Sequence, residues 1–91
     1  MGIFVVFHVK DPAKIRAAIA AKFPNDHLDL GDNEWLVSSK GTARTVSDEI
    51  GITGSAPSAG SAIVISMQGY YGRAATNIWD WVKAKAEATD G

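Results

Sequence analysis

The sequence predicts an α+β domain on the ferredoxin-like βαββαβ plan: a four-stranded antiparallel sheet with two helices on one face and an extra C-terminal helix. Three observations lead there. Apolar or alternating runs of strand length occur at residues 3–9, 26–30, 34–38 and 61–67. Apolar residues at helical spacing fill the gaps after the first and third runs and return after the fourth. The order β-α-β-β-α-β plus a terminal helix is that of a split βαβ unit. The 91 residues suit one domain, read as residues 1–88 with a short tail at 89–91.

Each element has a local reason. In Ile3-Phe4-Val5-Val6-Phe7-His8-Val9 both parities are apolar, as in a central strand covered on both faces. Ile3, Val5, Phe7 and Val9 face one way, and Phe4, Val6 and His8 the other. Asp11 followed by Pro12 reads as an N-cap with proline at the first helical position. Ile15, Ala18, Ile19 and Phe23 then repeat at helical spacing, and Phe23-Pro24-Asn25 ends that helix. Leu28 and Leu30 alternate with Asp29, Gly31-Asp32-Asn33 is turn chemistry, and Glu34-Trp35-Leu36-Val37-Ser38 completes a hairpin. Thr42 caps a second amphipathic helix carrying Ala43, Val46 and Ile50, closed by Gly51. A stretch rich in Gly, Ser, Ala and Pro spans residues 52–60, and the strand 61–67 follows. The loop Gly69-Tyr70-Tyr71-Gly72-Arg73 then leads to a helix at 74–87 with Ile78, Trp81, Val82 and Lys85 on one stripe and Trp79 beside it. Two helices cover one sheet face; the third is too short to hide the other, and an exposed apolar sheet face marks an interface. A homodimer with sheets or edges meeting across a two-fold axis is therefore expected.

Composition narrows the function. Net charge is −1, with no basic stripe of the kind a strong nucleic-acid binder needs. With no cysteine, disulfides, thiolate metal sites and cysteine nucleophiles are excluded. The first residues hold no basic run and the apolar run is of strand length, so neither a signal peptide nor a membrane span is predicted; a cytoplasmic protein is the expectation.

The strand Phe4-Val5-Val6-Phe7-His8-Val9, the segment Trp35-Leu36-Val37-Ser38-Ser39 with Thr42-Ala43 opening a helix, and Ile63-Val64-Ile65-Ser66 followed by Gly69 and Trp79-Asp80-Trp81 carry a family likeness. In their order and spacing the chain resembles the small CRISPR-associated endonuclease that is a subunit of the spacer-acquisition complex, and more closely its short SinR-type relatives. The resemblance implies a ferredoxin-like dimer and, in active members, a metal-dependent phosphodiesterase with an aspartate from each protomer at the end of the first strand. Here that position is His8, and Asp11 lies three residues later in the helix cap. Hard divalent ions want oxygen ligands, which one neutral imidazole per protomer does not replace.

The remaining candidates are few. His8 reads as a general base, a ligand for a softer metal or a pH-sensitive contact, or else as a core or interface histidine with one satisfied hydrogen bond. His27 and Asp29 share a strand face beside Asp26, as two metal ligands or as a solvated face that blunts edge pairing. The glycine-rich stretch 51–60 offers N–H groups and the hydroxyls of Ser55 and Ser58, but lacks the ending of a phosphate-binding P-loop. Tyr70, Tyr71 and Arg73 suit stacking on a base, gripping a phosphate or meeting a protein. Trp79 packs on the sheet or contacts a partner. The leading expectation is a dimeric, non-catalytic binding or assembly module without cofactor, acting through the dimer surface, Trp79 and the Tyr70-Tyr71-Arg73 loop toward a protein or nucleic-acid partner and away from membranes. One alternative is a nuclease using a divalent metal near His8 and Asp11 to hydrolyse RNA or DNA. The other is a domain that binds a small nucleotide-like ligand.

Overall fold

The computed structural model describes residues 2–54, 59–68 and 76–88, with side chains up to residue 85. The order is β1 (Gly2–Lys10), α1 (Pro12–Lys22), β2 (His27–Gly31), β3 (Glu34–Ser39), α2 (Ala43–Ile50), β4 (Ser61–Ser66) and α3 (Thr76–Ala88). The strands form one open antiparallel sheet in the order β2-β3-β1-β4. Both helical crossovers, β1 to β2 and β3 to β4, therefore skip one strand. Tyr70, Tyr71, Arg73, Ser55, Ser58 and the tail 89–91 lie outside the described residues.

Double-sided apolarity puts β1 in the sheet interior, where alternate residues serve different cores. Phe4 and Val6 join Trp35 and Val37 of β3 beneath Ile15 and Ile19 of α1, Phe23, and Val46 and Ile50 of α2. Ile3 joins Leu36 of β3 and Val82 of α3 on the opposite face. Leu28, Leu30, Val5, Met67, Ile78, Trp79 and Trp81 pack half-buried around that second core. A fully buried Val, Leu, Ile or Phe contributes about 1.5–3 kcal/mol, so the nine residues of the first core anchor the fold.

The ends of the elements follow local chemistry. Thr42 and Thr45 bond each other reciprocally at the start of α2, and Gly51 closes it in the left-handed region at φ 95°. Asp32 and Asn33 both have positive φ, 50° and 62°, as a two-residue hairpin turn of the primed type requires. One expectation needs correction. Asp11 stands at the N-cap of α1 but its carboxylate caps nothing: its backbone is left-handed (φ 58°, ψ 58°), and only its carbonyl engages the helix, accepting from Lys14 and Ile15. A side-chain cap needs extended backbone at this position, and the abrupt exit from β1 leaves none. Gly60 explains the tightness, since a Cβ there would strike the Lys10 carbonyl and come within 2.6 Å of the Asp11 Cβ.

Candidate functional site

His8 lies half-buried at the end of β1, opposite Ala62 of β4. Its Nδ1 is 3.2 Å from the Asn33 carbonyl, and its backbone N–H donates to the same oxygen at 3.4 Å. With Nδ1–H donating, the neutral ring carries its lone pair on Nε2. The tight β2–β3 turn thus orients this histidine, a role for Asn33 that sequence reading missed. Asp11 is exposed. Among the described residues no group of three or more His, Asp or Glu side chains comes together as a metal cage.

The other acidic cluster separates into structural ties. His27 Nδ1 donates to the Phe23 carbonyl at 2.6 Å, latching β2 to the end of α1. Asp26 pairs with Lys85 of α3 at 2.7 Å, and Lys85 also donates to the Asn25 carbonyl. Asp29 accepts from the Gly31 N–H at 2.8 Å and pairs with Arg16 of α1 at 3.0 Å. Arg16 donates in addition to Asn33 Oδ1 at 2.9 Å and stacks 5.5 Å over the centre of the Trp35 ring. The Gly31 N–H is the leading cause that holds the Asp29 carboxyl below its ordinary value; burial opposes it, and Arg16 and Trp35 add to the lowering. The Trp35 indole N–H is buried without a hydrogen bond of proper geometry, yet it lies near enough to Asp29 to favour the carboxylate. The two side chains read as metal ligands, His27 and Asp29, and their neighbour Asp26 are thus each bonded to a different part of the fold.

Two surfaces remain. The first is a cavity of about 700 Å³ lined by Ala43, Arg44, Ser47 and Asp48 of α2, Thr53 and Gly54 beyond it, and Val64 of β4. Thr53 Oγ1 lies 2.5 Å from Asp48 Oδ1 and 2.9 Å from the buried Ser47 Oγ. Arg44 and Asp48 stand at the helical spacing where an ion pair is usual, but Asp48 is engaged by Thr53. Among the described residues Arg44 has no carboxylate partner. Neither Arg44 nor Asp48 stood out in the sequence, being ordinary members of an amphipathic helix.

The second is the uncovered part of the sheet. α3 packs against β1 and β2 and shares a core with Leu36 of β3, while Ile63 and Ile65 of β4 stay about half exposed. Beyond it Phe7, Val9, Ile63 and Ile65 are 36, 62, 54 and 47 % exposed. The register pairs Phe7 with Ile63 and Val5 with Ile65, so these side chains share the α3 face. Val9 continues the patch at the bulge between His8 and Lys10. β4 is also a sheet edge. The Met67 N–H donates to the Ile3 carbonyl at 2.8 Å, and antiparallel alternation then turns the backbone groups of Ala62, Val64 and Ser66 outward. No residue of β4 is charged or proline, whereas the opposite edge, β2, carries His27 and Asp29. Trp79 lies half-buried in the second core. The sequence had marked this face as open, but only the placement of α3 tells which half.

Compared with protein families, curated proteins and solved structures, the chain matches none.

Proposed function

We propose that this chain is a ferredoxin-like assembly module that pairs with itself and works through surface contact rather than catalysis. The observation that carries the reading is the half-covered sheet: a contiguous patch of Phe7, Val9, Ile63 and Ile65 beside an uncharged edge strand. Patches of this kind serve binding. The strand order β2-β3-β1-β4 with two strand-skipping crossovers supports the ferredoxin-like assignment. Kinship with the CRISPR-associated endonuclease and its SinR-type relatives belongs to the same proposal, resting on the first strand, the Trp35 segment and the Trp79-Asp80-Trp81 helix. The test is mass by light scattering at roughly 50 µM, well above the micromolar dissociation constant of a modest dimer. A dimer is expected; a monomer at that concentration refutes the reading.

One observation favours a second function, binding of a small anionic, nucleotide-like ligand. The cavity over α2 holds a guanidinium without a carboxylate partner among the described residues, beside two hydroxyls. Its volume falls within the usual range for small-molecule sites. A thermal-shift panel of nucleoside mono- and diphosphates is expected to yield at least one stabilising compound whose effect Arg44→Ala removes. A panel without any shift refutes it.

A further inference from the structure

We infer that the uncovered half-sheet is occupied by the same half-sheet of a second copy, packed face to face about a two-fold axis. This rests on the assembly reading and names its surface.

Shape is the first argument. α3 forms a second layer over β1, β3 and β2 and leaves Ile63 and Ile65 of β4 about half exposed. A helix stacks on a sheet at about the spacing at which one sheet stacks on another, roughly 10 Å. The step beside α3 is therefore one sheet layer deep. A two-fold rotation fills it with the partner's own β1–β4 half and brings each α3 alongside the other copy's β4 edge. The operation covers the apolar patch and the bare edge together. An isologous contact of this kind also closes on itself, so it stops at two copies.

Area is the second. The four exposures add up to about two whole residues, or roughly 300 Å² of bare surface at the lower end of the size range of aromatic groups, which suits Val and Ile better than the upper end. A stable interface buries about 800 Å² on each partner, a little over half of it apolar. The patch supplies most of that apolar share.

Charge is the third. Phe7, Val9, Ile63 and Ile65 offer nothing for an acidic or basic partner to read, and the net charge of −1 sets up little repulsion between copies. Edge-to-edge pairing of β4 is the competing arrangement. It would engage Ile63 and Ile65 but leave Phe7 and Val9, on the next strand in, uncovered.

Three variants separate these arrangements, each first checked for a native circular-dichroism spectrum. Ile63→Lys puts a charge into the patch, and Val9→Lys does so on a strand that edge pairing never touches. Ser66→Pro removes an outward N–H and fills the lane of an incoming strand while sparing the apolar face. Face-to-face packing is expected to weaken about tenfold or more with either lysine and to survive the proline. A dimer that tolerates Val9→Lys, or that Ser66→Pro dissociates, overturns the face-to-face arrangement while leaving self-assembly intact. A monomeric wild type removes the assembly reading itself.

Discussion

Replacing Arg16 with alanine removes the side chain that ties α1 to the β2–β3 hairpin, and the size of the effect follows from its contacts. The pair with Asp29 is half exposed, the two side chains being 48 and 40 % accessible; such pairs contribute about 0.2–1 kcal/mol. The hydrogen bond to Asn33 Oδ1 adds roughly 0.5–1.5 kcal/mol. The stack over Trp35 contributes about 0.5–1 kcal/mol at an exposed site. These contacts share one side chain and are not fully additive, so a loss of roughly 1–2.5 kcal/mol is expected. In a domain of this size that lowers Tm by about 5–15 °C. Urea unfolding followed by tryptophan fluorescence measures it. The pH dependence provides a second check. The folded-state pKa of Asp29 is lowered, so its stabilisation is complete above the ordinary carboxylate pKa and is lost as pH falls through the lowered folded value. Since the Gly31 N–H is the leading cause, Arg16→Ala should shrink this acid-side loss without removing it, whereas Asp29→Asn should abolish it. A change in stability under about 0.3 kcal/mol for Arg16→Ala, within the noise of surface substitutions, would refute the idea that this cluster fastens the hairpin to the helix.

Gly60→Ala is expected to cost about 1–3 kcal/mol by overpacking, because the added methyl meets the Lys10 carbonyl and Asp11 Cβ; denaturant titration reads the loss. Thr42→Ala removes the capping box of α2 and should cost about 0.5–2 kcal/mol in the same assay. Lys85→Ala frees α3 from Asn25 and Asp26 at a cost of about 0.5–1.5 kcal/mol. Hydrogen exchange should quicken in α3 while the amides of Val6 and Val37, beneath α1 and α2, keep their protection. Incubation with manganese and single-stranded RNA or DNA is expected to produce no cleavage that His8→Ala or Asp11→Ala removes; cleavage lost in both variants would restore the nuclease reading.

Much of the fold was legible because each boundary carries its own chemistry. Pro12 starts α1, Thr42 and Gly51 bracket α2, and the left-handed pair Asp32-Asn33 sets the hairpin. The parity of β1 correctly divided Phe4 and Val6 from Ile3 and Val5. The Asp11 cap was misjudged because side-chain chemistry favours it, while the close approach of Gly60, distant in sequence, dictates the backbone there. The site was less legible. Arg16 and Asn33 look like surface residues until the fold brings them to Asp29 and His8, and Lys85, though on the stripe of α3, gives no sign of its partner Asp26. Ile63 and Ile65 cannot be told from core residues by pattern, since Ala62 and Val64, which alternate with them, are apolar too. Only the position of α3 decides which pair is bare.

The apolarity of β1 on both faces has a cost during folding. In a sheet with one wet face, a slip of one residue exposes apolar side chains and is rejected. In β1 a slip would exchange Ile3 and Val5 for Phe4 and Val6 and still bury apolar groups on both sides, so polarity offers little proofreading. The register must instead be chosen at the corners, by the left-handed Asp32-Asn33 turn, the His8 bond to Asn33 and the close passage of Gly60 past Lys10. Loosening these corners should populate mispaired, slowly correcting chains before it lowers the stability of those that have paired correctly.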